Sequence, residues 1–156
     1  MNKGKLENLQ EIKHHIEPKK RIMGLDLGKK TIGLAISDIN LRVATPVKNI
    51  IRGKFDNDIH EIKDLITSYN VGLIVVGNPI TLKGEIGPMA QSVHDIANNI
   101  KKVTKIRVAL WDERFSTLAV TRILKEANSS PSKIKKNKDM LAATYILQNA
   151  LDFLSN

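Results

Sequence analysis

The chain has 156 residues, 25 Lys and Arg against 16 Asp and Glu, a formal net charge of +9 and no cysteine. That length suits one domain with its own core and is too short for a two-domain kinase or dehydrogenase. The missing cysteine excludes disulfide scaffolds, thiolate zinc sites and thiol nucleophiles, and the basic balance calls for an anionic partner, nucleic acid before a membrane surface. Residues 1–20 mix charges, end in Pro18-Lys19-Lys20 and hold no apolar leader, so they read as a flexible or weakly ordered basic extension of a cytoplasmic protein without a membrane segment. A single domain is expected over 21–154. Residues 21–28 and 31–38 are short apolar runs separated by Lys29-Lys30, the pattern of two strands in a hairpin. A third strand is expected over 41–51, where Pro46 demands an edge position or a bulge.

The period then changes. Phe55, Ile59, Ile62, Leu65, Ile66 and Tyr69 fall at helical spacing. Residues 71–77 (VGLIVVG) form a continuous apolar run, as in a central strand covered on both faces. A Gly/Pro-rich loop over 78–87 leads to Pro88, well suited to the first position of a helix whose inward stripe is Met89, Val93, Ile96, Ala97, Ile100 and Val103. A strand over 105–111 and a helix over 115–127 follow, then a polar loop over 128–138 and a last, buried helix over 139–154. The order predicts an α/β fold: a three-strand antiparallel meander, then parallel strand–helix units, making a mixed five-stranded sheet flanked by helices. Ligands of such sheets gather at the carboxyl ends of the strands.

Three acidic positions stand out. Asp26 interrupts the apolar run of the first strand, where a carboxylate must be paired, hydrogen-bonded or bound to a cation. It could also simply open the turn into Gly28-Lys29. Asp112-Glu113 follows the last strand, and Asp112 could equally cap the next helix. Asp139 opens the final helix directly after the basic run 133–138, which also suits an N-cap. Together, carboxylates from two strand ends and one helix start can converge at one edge, where oxygen ligands suit Mg²⁺ or Mn²⁺. The four histidines, His14, His15, His60 and His94, lack zinc-ligand spacing, and His94 reads as a surface residue. Trp111 reads as core, and six aromatics are too few for a nucleic-acid stacking platform.

The stretch 21–38, RIMGLDLGKKTIGLAISD, resembles the opening of the YqgF/RuvX family. Gly77-Asn78-Pro79 with Gly84 resembles that family's G-x-P loop, and Asp112-Glu113-Arg114 with Thr117 its D-E-R motif. Asp139, Ala142, Ala143, Ile146, Leu147 and Gln148 resemble its last motif, D-x-x-A-A-x-x-I-L-Q. The resemblance spans 21–154, and four motifs in series are far more specific than any one. It implies an RNase H-like fold and metal-dependent phosphodiester cleavage, in pre-16S rRNA processing or, as the alternative, at Holliday junctions. Carried over by position, Asp26, Glu113 and Asp139 become the catalytic carboxylates and ligands of Mg²⁺ or Mn²⁺. Arg114 becomes a phosphate contact, and Gly77 and Pro79 shape the neighbouring loop. Lys29, Lys30, Lys135 and Lys136 are the basic side chains expected to hold RNA or branched DNA. Phe115-Ser116 departs from the family's more usual Leu-Thr, and residues 1–20 have no counterpart in its motifs.

Other readings of the same residues compete. Gly28-Lys29-Lys30-Thr31 is not a P-loop, because the required earlier glycine is Met23. The segment 26–33 also resembles the first phosphate loop of the sugar-kinase, Hsp70 and actin group, which needs two domains to close on ATP. A non-catalytic nucleic-acid-binding module is the third reading. Clustered acids beside phosphates argue against it, because they repel nucleic acid unless a cation neutralises them. A junction resolvase needs a symmetric dimer to cut two strands, so a homodimer belongs to that reading.

Overall fold

The computed structural model describes residues 6–79, 87–112 and 131–155, with side chains in the last segment from Lys138 onward. The described elements are β1 (Glu7–Asn8), α1 (Leu9–Ile12), a 3-10 turn (Lys13–His15), β2 (Arg21–Leu27), β3 (Thr31–Ser37), β4 (Ala44–Ile51), α2 (Phe55–Tyr69), β5 (Val71–Asn78), α3 (Pro88–Thr104), β6 (Arg107–Asp112) and α4 (Pro131–Leu154). The strands form one sheet in the order β1-β6-β5-β2-β3-β4. The expected meander is present: β3 is antiparallel to both β2 and β4. β5 runs parallel to β2 and β6, so its apolar run occupies the sheet centre. β4 is an edge strand, and its pairing with β3 slips between Leu34 and Ala35, leaving Val47 between Lys48 and Pro46 as a bulge. Both features suit the proline, which cannot donate to the ladder.

Period-two alternation sorts the side chains between two layers. Met23, Leu25 and Leu27 of β2 join Ile32, Leu34, Ile74 and Val76 on one face, with Ile59 and Ile62 of α2 and Val93, Ala97 and Ile100 of α3. Ile22, Ala35, Leu73, Val75 and Ala109 face the other way, onto Ala143, Ile146, Leu147 and Ala150 of α4. Gly24 belongs to this second face, and a Cβ there would stand 2.8 Å from Leu147 Cβ and 2.9 Å from the Ala143 carbonyl oxygen. The helix therefore rides directly on the backbone of β2, an approach only glycine permits.

The structure corrects these expectations at four points. The first concerns residues 1–20, which are not all outside the domain. Glu7–Asn8 pairs in parallel with Ala109–Leu110, making the sheet six-stranded rather than five. Second, Leu9 and Ile12 are 2% and 1% exposed within the α4-side core. A capping box starts their helix: Asn8 Oδ1 accepts from the Glu11 amide at 3.0 Å, and Glu11 Oε2 accepts from the Asn8 amide at 3.4 Å. Third, α4 begins at Pro131, not Asp139, because lysine-rich sequence is helix-compatible yet carries no apolar period. Fourth, the inward stripe of α3 is Ala90, Val93, Ala97 and Ile100, whereas Met89 and Val103 are exposed. The helix expected over 115–127 lies outside the described residues.

Candidate functional site

The turn joining β2 to β3 is tied from several sides. The Gly28 amide donates to the Thr31 carbonyl at 2.9 Å. From the end of β4, the Arg52 amide donates to the Lys30 carbonyl at 2.9 Å and its Nη1 donates to the Gly28 carbonyl at 2.6 Å. Arg52 is followed by Gly53, whose amide donates to the buried Asp58 carboxylate at 3.2 and 3.3 Å. Lys29 and Lys30 are exposed at the tip.

Against this turn lies α4. The Thr31 hydroxyl donates to Asp139 Oδ2. A Cβ on Gly28 would meet Asp139 Cγ at 2.9 Å, and one on Gly33 would overlap the Asp139 carbonyl and meet the Met140 nitrogen at 2.5 Å. Gly33 is the antiparallel partner of Asp26. Facing residues of an antiparallel pair project to the same side, and Asp26 shares the parity of Ile22 and Gly24, which face α4. Asp26 and Asp139 therefore stand on one face of the sheet, at the carboxyl end of β2, each half-buried. Asp139 is not a cap: it lies about two turns inside a helix that starts at Pro131.

Asp112 ends β6 with the parity of Val108 and Leu110, which pack on the α2/α3 side. It is thus directed to the face opposite Asp26, in register with Asn78. Gly77 is buried at the end of β5 beside Trp111, and Pro79 follows half-buried. Trp111 is partly buried and meets the Phe153 ring edge-on at 5.6 Å. Glu113 and Arg114 lie outside the described residues, as do the side chains of Lys135 and Lys136. Lys138, one residue before Asp139, is exposed. Among the described residues, no three of His, Cys, Asp and Glu stand close enough together to hold a metal ion.

Three polar contacts were not anticipated. Thr31 was legible in principle, since Thr31, Gly33, Ala35 and Ser37 make one face of β3 small or polar. Arg52 carried no local signal, because its partner is 24 residues away. His94, expected on the surface, is part-buried, with Nε2 3.0 Å from Asn78 Oδ1. A cleft of about 730 Å³ lies at the amino end of β2, lined by Lys19, Lys20, Leu41, Arg42 and Leu151 among others, and contains neither Asp26 nor Asp139.

The mixed sheet, the meander and α4 across it make an RNase H-like fold, and its solved neighbours include resolvases. Thermus thermophilus RuvC, solved with a Holliday junction substrate, superposes with a TM-score of 0.55 at 11% identity, covering 86% of this chain and 94% of that one. The fowlpox virus resolvase, solved with Holliday junction DNA, gives 0.51 at 12% identity, covering 87% and 99%. The chain belongs to the RuvX (YqgF) family: residues 20–153 match the family model described as RuvX, Holliday junction resolvase. A protein of Bartonella tribocorum is 43% identical over 149 residues, 96% of either chain, and one of Pelagibacter ubique 44% identical over 146 residues, 94% of this chain and 95% of that one. Both are provisionally named pre-16S rRNA nucleases.

Proposed function

We propose that this protein is a divalent-metal-dependent nuclease that hydrolyses phosphodiester bonds in structured nucleic acid, with pre-16S rRNA ends as its substrate. The supporting observation is the close seat of Asp139 on Gly28 and Gly33, which sets a second carboxylate on the same sheet face as Asp26. Two carboxylates of one sign, half-buried together, are stabilised by a bound cation. Their all-oxygen character suits Mg²⁺ or Mn²⁺. The glycines leave the space that a side chain would otherwise fill. Asp26, Asp139 and, by its motif position, Glu113 would hold the ion. When bound, it supplies Lewis acidity toward a phosphate oxygen and acidifies water.

The chain's own residues then divide the remaining work. Thr31 donates to one oxygen of Asp139 and leaves the other as an acceptor. Lys29, Lys30 and Lys138, exposed around the turn and helix, attract the polyanion without reading its sequence. Arg114, Lys135 and Lys136 extend that surface, and a guanidinium fork at 114 suits a phosphate. The site of action is the cytoplasm; no described helix is long and apolar enough to cross a membrane.

The test is cleavage of pre-rRNA ends and of four-way DNA junctions with Mg²⁺, Mn²⁺ or EDTA. Wild type is expected to cut the RNA with either metal and to stop with EDTA, and Asp26→Asn to be inactive. Junction cutting by a dimer, with the RNA left whole, would transfer the reading to the resolvase activity for which the family model is described. No cutting of either substrate under any metal condition would leave a binding module.

A further inference from the structure

We propose that Arg52 is a positioning residue for the Asp26–Asp139 site, acting through the β2–β3 turn rather than by touching substrate or metal. The inference rests on the nuclease reading above. The geometry forms a continuous relay. The buried Asp58 carboxylate accepts the Gly53 amide and so fixes the end of β4. Arg52 next to it grips the turn at two points, Lys30 by its amide and Gly28 by its guanidinium. The 2.6 Å contact to Gly28 is short for an N–H···O bond, as expected when the donor is charged. Gly28 in turn donates to Thr31, and the Thr31 hydroxyl meets Asp139. A turn released at Gly28 would let Thr31 and the recess for Asp139 drift together.

Electrostatics alone makes the opposite prediction. Arg52 is a cation held at Gly28, the residue against which the Asp139 side chain lies, so its removal should strengthen cation binding there by direct charge effects. A positioning role predicts weaker binding when it is removed. The sign of the change therefore separates the two roles.

The experiment compares wild type, Arg52→Met, Arg52→Lys and Thr31→Val. The readouts are amide hydrogen exchange at Gly28, Mn²⁺ titration followed by calorimetry, and thermal melting. Arg52→Met should expose the Gly28 amide and weaken Mn²⁺ about tenfold, the low end of what lost outer-shell partners cost. Arg52→Lys can still reach one carbonyl and should recover most of that loss. The Arg52→Met and Thr31→Val effects on Mn²⁺ should be non-additive, because both act through one contact with Asp139. A Gly28 amide that stays protected in Arg52→Met overturns the proposal, and so does Mn²⁺ binding that is unchanged or tighter. Additive losses overturn the route through Thr31. Wild type that binds no Mn²⁺ defeats the nuclease reading itself, a result distinct from any behaviour of the Gly28 amide.

Discussion

Replacing Gly33 by alanine should damage stability and metal binding together. The added Cβ would meet the Met140 nitrogen at 2.5 Å and overlap the Asp139 carbonyl, whereas ordinary contact begins at 3.4 Å. The obstacle is helix backbone, which cannot rotate away as a side-chain tip can. The helix must lift by roughly 1 Å, and a gap of that size forfeits a quarter to a half of each van der Waals contact it opens. Overpacking of this kind costs about 1–3 kcal/mol. For a chain of this length that is a fall in melting temperature of roughly 2–12 °C. The lift is centred on Asp139, so Mn²⁺ affinity should fall in the same variant. Gly24→Ala is the control: its Cβ meets Ala143 and Leu147, about one and two turns further along α4, so it should lose stability while keeping more of its Mn²⁺ affinity. Calorimetric melts and Mn²⁺ titrations of both variants decide the matter. A Gly33→Ala protein with wild-type melting and wild-type Mn²⁺ affinity would refute the close seat of α4 on β3.

Two other consequences concern stability. Leu9→Ala should destabilise the fold by about 2–5 kcal/mol, as for any large apolar side chain cut from a core; a denaturant melt within roughly 0.5 kcal/mol of wild type, the scatter of surface substitutions, would return residues 6–16 to the status of a loose extension. Asp38 accepts the amides of Arg42 and Val43 at 2.7 and 2.9 Å, and the Val43 bond above all holds its carboxyl below the ordinary 3.8. A carboxyl lowered on folding stabilises above its unfolded value, and that contribution disappears as pH falls through the folded value. Asp38→Ala should therefore lose more stability at about pH 7 than near about pH 2, on either side of the ordinary carboxylate range; a deficit independent of pH in urea melts would contradict this.

The sheet was legible because its strands carry strong signals: two apolar runs around Lys29-Lys30, a proline at the edge and an unbroken run at the centre. What escaped has physical causes. Leu9 and Ile12 sit among charged neighbours, and a two-residue strand such as β1 has no period to detect. The first turns of α4 are lysine-rich, so their polarity resembled a loop, and the misplaced helix start made Asp139 look like a cap. Asp26 and Asp139 stand out in the sequence as acids in unexpected places, whereas the choice of Glu113 over Asp112 rests on the D-E-R resemblance. Strand alternation supplies part of the answer by directing Asp112 to the α2/α3 face.

The glycines of the first motif also bear on the competing phosphate-loop reading. In a phosphate loop, turn amides are open to an anion that comes from outside. Here the Gly28 amide is spent on the Thr31 carbonyl, and the Gly28 carbonyl is held by Arg52. The recess beside Gly28 and Thr31 is occupied by the Asp139 carboxylate. A phosphate placed there would meet a negative charge before it met a donor, and would gain only once a cation lay between them. Gly24, Gly28 and Gly33 thus serve the approach of a helix rather than of a nucleotide. That approach brings the Asp139 carboxylate to the sheet face that also carries Asp26, with Lys29, Lys30 and Lys138 exposed around them.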